Sequence, residues 1–129
     1  MIVGLDHVQV GAPPGCEDAA RAFYGDLLRL PEIEKPSPLA ARGGVWFRVG
    51  DQQLHVGVAD AFAPATKAHP AFRVSSADAL FRLSNRLEQK GVAVTRPRPD
   101  ELPGAVRIFT VDPWGNRIEL VARAHGVFT

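Results

Sequence analysis

The chain has 129 residues, 46% of them hydrophobic and 22% charged, which is enough to enclose one ordinary globular core. A formal net charge of +1, with lysines and arginines scattered, leaves no electrostatic footprint for nucleic acid or an anionic membrane surface. The single cysteine, Cys16, excludes an intrachain disulfide and any paired-cysteine metal or redox motif.

MIVGLDHVQV lacks a basic n-region and a long apolar stretch, so the expected setting is cytoplasmic, with no membrane span. Residues 2–10 are rich in aliphatic and β-branched side chains and read as a first strand, closed by the breaker GAPPG. Residues 17–30 place Ala19, Ala20, Phe23, Leu27 and Leu30 at helical spacing behind an acidic first turn, and Pro31 ends the run. A weakly signalled short strand near Ile33 and the flexible loop SPLAARGG follow. Then GVWFRVG and QQLHVGV read as a hairpin turning at Gly50 and Asp51.

After the linker-like DAFAPATKA the order of events repeats. HPAFRV is a strand, Ser75 and Ser76 offer an N-cap, and Ala77, Leu80, Leu83 and Leu87 line one face of a helix that stops at Lys90 and Gly91. VAVT, the loop RPRPDELPG and the hairpin VRIFTV–DPWGN–RIELV complete the second half. The fold class is therefore α+β: a single domain of two tandem βαβββ modules, residues 1–62 and 68–123, forming a curved mixed-sheet trough with helices outside.

Chemistry-bearing side chains respect that repeat. His7 and His55 stand on the first and last strands of one half, 48 positions apart, and His69 and Glu119 on those of the other, 50 apart, with the two extra positions assigned to the DPWGN turn. Alternation along a strand puts Leu54, Val56 and Val58 on one face and Gln53 and His55 on the other, just as Ile118 and Leu120 oppose Arg117 and Glu119. A single strand histidine is ordinarily a hydrogen-bonded or half-exposed residue, and Glu119 alone could pair with Arg117, Arg107 or Arg73. Joint placement on matching strands favours a metal centre, because three of only four histidines fall there and a buried unpaired carboxylate is costly. Such nitrogen and oxygen donors suit a divalent ion: zinc, nickel, iron, manganese or cobalt. His125, in the tail ARAHGVFT, is set aside.

LDHVQV, FYGDLL, HPAFRV and the closing TVDPWGNRIELV resemble the vicinal oxygen chelate superfamily, the glyoxalase, bleomycin resistance and dioxygenase family, over residues 2 to 122. The resemblance implies a divalent ion held by His7, His55, His69 and Glu119, with His55 and Glu119 catalytic, and lyase, isomerase, epimerase or thiol-transferase chemistry on a small oxygen-rich substrate. It also implies a homodimer. His55 departs from the glutamate or glutamine usual at its position in glyoxalase-like members, which counts against ordinary lactoylglutathione lyase activity. The alternatives are a metal-free sequestering protein of the bleomycin-resistance type and an extradiol-type dioxygenase. The second ranks lower because the only tyrosine, Tyr24, sits in the first helix. For the substrate, Trp46 or Phe47 faces the site, Phe109 is matched to Phe47 in the repeat, and Arg107, Arg73 and Arg117 offer cationic groups.

Overall fold

Each hairpin read from the sequence becomes the centre of a four-stranded mixed sheet. The structure, a computed structural model, describes residues 1–124, and His125 lies outside them. The chain divides into two units, Met1–Ala65 and Thr66–Thr129, of the same plan.

In the first unit the strands are β1 (His7–Ala12), β2 (Glu32–Ile33), β3 (Val45–Val49) and β4 (Gln52–Val58), in spatial order β1-β4-β3-β2. β1 runs parallel to β4, and the other pairs are antiparallel. The first strand is displaced from the expected 2–10, because β4 begins at Gln52 and its partner in register with Gln53 is His7. Residues before Asp6 have no strand to pair with, and the ladder runs through Gly11 and Ala12 before the prolines end it.

The first helix, α1, spans Glu17–Ala20 and then widens into a π-helix over Arg21–Leu27. Ala20, Phe23 and Tyr24 are buried, whereas Ala19, Leu27 and Leu30 of the expected stripe are only partly so. Tyr24 lies 5.9 Å from the Phe47 ring, and this aromatic pair with Val45, Leu54 and Val56 forms the first core. SPLAARGG contains one helical turn, α2 (Ser37–Ala40).

The second unit holds β5 (Ala71–Arg73), α3 (Ala77–Gln89), β6 (Val94–Thr95), β7 (Ala105–Val111) and β8 (Arg117–Arg123), in sheet order β5-β8-β7-β6. Ser76 caps α3 by accepting the Ala79 N–H at 3.0 Å. At the other end Gly91 takes φ +77° and the Val92 N–H reaches the Leu87 carbonyl at 3.0 Å, the left-handed exit anticipated from Lys90–Gly91. α3 packs on β8, β7 and β6, and Leu80, Leu87, Ile108, Ile118 and Leu120 make the core. β5 is shorter than HPAFRV suggests because Pro70 has no N–H to give; its carbonyl still accepts the Glu119 N–H at 3.0 Å and keeps His69 beside β8. No helix among the described residues is long and apolar enough to cross a membrane.

The registers align the halves residue by residue. Trp46 faces His55 across its hairpin, and Phe109 faces Glu119 across the other. Phe47 faces Leu54 and Thr110 faces Ile118. Phe109 is thus the counterpart of Trp46, and its expected match to Phe47 is corrected. Of the two extra positions in the second half, one lies in the DPWGN turn, since Trp46 to His55 spans nine positions and Phe109 to Glu119 spans ten. The other falls between β5 and β7.

Candidate metal and substrate site

The turn that carries the most distinctive motif is structural. Asp112 is 4% exposed; its Oδ1 accepts the Trp114 and Asn116 backbone N–H groups at 3.0 and 2.9 Å, and its Oδ2 accepts Asn116 Nδ2 at 2.8 Å. This tied turn sets the offset between β7 and β8 and hence which residue faces Glu119.

In the second unit, Glu119 sits on the face of β8 away from Leu120 and is 8% exposed. A buried carboxylate needs partners, and two supply them. His69 Nε2 lies 3.1 Å from Glu119 Oε1, and Arg107 Nη1 lies 3.5 Å from the same oxygen. The other ring nitrogen of His69 donates to the Lys67 carbonyl at 2.9 Å, which orients the ring. Arg107 also reaches Glu101 at 3.2 Å, while its buried Nε has no partner. Phe109 meets His69 edge-on at 5.6 Å and lies under the guanidinium groups of Arg107 and Arg117, at 5.1 and 4.0 Å. Arg73, exposed on β5, falls on the His69 side of its strand, two residues beyond Ala71.

The first unit places different chemistry at the equivalent points. His55 is 4% exposed and is sandwiched, with the Trp46 indole stacked at 3.7 Å on one side and the His7 imidazole at 4.1 Å. His55 Nε2 lies 2.8 Å from Gln53 Oε1 on the same strand. Burial, and then the neighbouring His7, push the His55 pKa below the ordinary imidazole value, so the ring is neutral at pH 7. His7 is the more exposed ring, and its Nδ1 is 2.8 Å from the Asp6 carboxylate, an engagement that orients the ring and reserves Nε2 for other contacts. Phe47, by contrast, is fully buried on the helix side against Tyr24. Trp46 therefore shares the His55 face and Phe47 does not.

These contacts bear on whether the residues suit a divalent ion. Two donors bound to one ion at 2.0–2.2 Å each stand about 3 Å apart when they meet it at a right angle, and the His69–Glu119 separation is 3.1 Å. His7 and His69 each carry the carboxylate or carbonyl on Nδ1 that commonly orients a metal-ligating imidazole. The donor set fits. Among the described residues, no three His, Cys, Asp or Glu side chains gather around one point. Each unit contributes a pair: His7 with His55, and His69 with Glu119.

Several supporting groups were not among the residues singled out from sequence. Asp6 had a signal, a carboxylate directly before a strand histidine, as did Asp112 and Asn116 in a turn-forming stretch. The Lys67 carbonyl had none, because a main-chain acceptor is invisible without the fold.

Comparison with known proteins agrees with this architecture. A glyoxalase family protein from Bacillus anthracis of known crystal structure is 44% identical, with 95% of this chain and 97% of that one covered and a TM-score of 0.88. Lactoylglutathione lyase from Agrobacterium tumefaciens shares the fold at 20% identity, covering 94% of each chain with a TM-score of 0.71. The fosfomycin resistance protein FosX from Listeria monocytogenes, in its complex with Mn(II) and sulfate, shares it at 22% identity, over 97% of this chain and 94% of that one, with a TM-score of 0.75. No curated protein matches. The sequence pattern described as the Glyoxalase/Bleomycin resistance protein/Dioxygenase superfamily matches residues 4–120, and the chain belongs to that superfamily.

Proposed function

We propose that this protein is a divalent-metal-dependent enzyme of the glyoxalase-like class, a lyase, isomerase, epimerase or thiol-transferase acting on a small oxygen-rich substrate, and that it works as a homodimer. One observation carries the reading: His7 and His69, at equivalent points of the repeat, both have Nδ1 engaged by an oxygen acceptor, and His69 stands 3.1 Å from Glu119. Structural histidines have no need of that common orientation. His7, His69 and Glu119 would hold the ion, and His55 would join them on releasing Gln53 or stay beside them as a base. FosX, crystallised with Mn(II), is a structural relative of this chain.

A divalent ion bound there supplies Lewis-acid polarisation of a substrate oxygen. The chain's own groups do the rest. Neutral His55, its pKa held below the ordinary imidazole value by burial and then by His7, offers an unprotonated ring nitrogen at pH 7 that can accept a proton from the substrate. Arg107 and Arg117, held at the Phe109 ring, orient and offset negative charge on a substrate oxygen. Trp46 and Phe109 present apolar faces that exclude water.

The Arg107–Glu119 ion pair favours one second reading, a metal-free binding protein of the bleomycin-resistance type, because it already satisfies the carboxylate. Metal analysis separates the two. Untagged protein prepared without chelator should carry about one divalent ion per chain by mass spectrometry, and Glu119→Ala should lose it. No ion in the purified protein, and no uptake from zinc, nickel, manganese, cobalt or ferrous salts, would refute the metalloenzyme.

A further inference from the structure

Beside the Trp46–His55 stack the first unit has a cleft of about 240 Å³ whose lining includes Gln9, Lys35, Leu39, Arg42, Trp46 and Gly57. It is small against ordinary ligand pockets, and it is cationic. Lys35 Nζ donates to the Gly43 carbonyl, which anchors the ammonium and leaves two of its three protons for another acceptor. Arg42 follows α2 and has no carboxylate partner among the described residues. The nearby carboxylate, Glu17, is committed elsewhere: its Oε2 accepts the Gly44 N–H at 2.7 Å and the Cys16 thiol at 3.6 Å. The Gln9 side-chain amide lies on Gly57, where a β-carbon would come within 2.6 to 2.9 Å of it. Glycine at 57 thus makes room for an amide on the cleft floor.

We propose that this cleft binds an anionic group of the substrate, a carboxylate or a phosphate-type oxyanion, through Arg42 and Lys35, with the Gln9 amide as a further donor. Two cations and a neutral donor around a small cavity match an oxyanion and disfavour a neutral or cationic group. Trp46 places the subsite, because one indole face stacks on His55 at 3.7 Å while the residue lines the cleft. The anion therefore sits beside the ring that stacks on His55, and the substrate carries its charge a short spacer away from its reacting oxygens. That last step rests on the proposed function; the anion subsite itself does not.

The test is a two-dimensional amide NMR titration of metal-free protein with inorganic phosphate, and separately with succinate, at constant ionic strength. Saturable shifts of the Trp46 indole N–H and the Gly43 and Gly57 amides are expected, with affinity reduced about tenfold or more in Arg42→Gln and in Lys35→Gln. Arg82→Gln, which removes a charge from the surface of α3, should leave the titration unchanged. A response to phosphate alone supports a phosphate or phosphonate substrate; a response to succinate alone supports a carboxylate. Absence of saturation with both anions, or an equal loss in Arg82→Gln, overturns the proposal. Metal uptake by the same samples is read independently, so a chain that takes the ion but neither anion sinks only the subsite, and one that takes an anion but no ion sinks only the metalloenzyme.

Discussion

Replacing Asp112 by alanine should unfold the second hairpin's turn, and the cost can be worked from its contacts. The carboxylate accepts hydrogen bonds from the Trp114 N–H, the Asn116 N–H and Asn116 Nδ2. Trp114 is half-exposed, so water can take over its N–H, whereas Asn116 is 2% exposed, so water does not replace the carboxylate at its two bonds from that residue. At about 1.5 kcal/mol for each bond to a charged acceptor that water cannot replace, the loss comes to about 3 kcal/mol. With a urea slope of about 1.5 kcal/mol per molar for a chain of this size, the unfolding midpoint falls by about 2 M. Asp112→Asn keeps one acceptor oxygen for the two backbone donors and should lose about 1 kcal/mol, roughly a third as much. Urea titration followed by circular dichroism measures both. An alanine variant within about 0.5 M of the parent, or an asparagine variant as damaged as the alanine one, would refute the view that this carboxylate holds the turn.

Three further outcomes follow from named contacts. His55, whose pKa is held down by burial and then by His7, is protonated more readily in the unfolded chain than in the folded one, so its stabilising effect is complete above its ordinary value of 6.5 and is lost as pH falls. Metal-free protein should therefore lose more urea stability between about pH 7.5 and pH 5.5 than His55→Gln does, and equal losses would contradict the assignment. Gly44→Ala should destabilise severely, by about 3 kcal/mol or more, because φ is +86° and the new β-carbon would meet the Val56 carbonyl oxygen at 2.1 Å; a thermal melt within a few degrees of the parent would count against it. Phe47→Ala should cost about 3–5 kcal/mol in urea unfolding, as a fully buried ring beside Tyr24, and Phe47→Leu should keep metal uptake intact; loss of uptake in a folded Phe47→Leu protein would put Phe47 back at the site.

The duplication was legible because each half writes its periods clearly: twofold alternation in LHVGV and RIELV, a helical stripe in ADALFRLSNRLEQ, and ligand-type residues at the same strand positions. The pairing of Phe109 with Phe47 failed for a local reason. Both extra residues were assigned to DPWGN, and one of them lies elsewhere, which shifts the alignment of β7 against β3 by one position and reverses which face each aromatic takes. Counting back from His55 and Glu119 through tied turns of known length would have matched Trp46 to Phe109. Other features had no sequence signal. The π-helical widening over Arg21–Leu27 leaves the apolar spacing unchanged, and the stack of Trp46, His55 and His7 needs three strands in register before it exists.

Residue-by-residue alignment of the halves also shows where their side chains differ. Where the first unit has His55 and Trp46, the second has Glu119 and Phe109, and where the first has the facing pair Gly11 and Gly57, the second has Arg73 and Val121. Arg107, which faces Val121, corresponds to Gly44, one residue before β3. The second unit thus puts fixed charge at these points: a carboxylate bridged by a histidine and a guanidinium. The first puts neutral rings and small residues there, which leaves space for Gln9 over Gly57 and for the cleft beside Trp46. An arginine at 44 or a valine at 57 would fill that space, so the glycines keep the cleft of the first unit open. On this argument Gly57→Val should abolish anion binding to the cleft by displacing Gln9, and should leave the His69–Glu119 pair undisturbed. The anion titration and the His69 ring resonances would show both effects in one sample, and an unchanged titration in Gly57→Val would remove the glycines from the account.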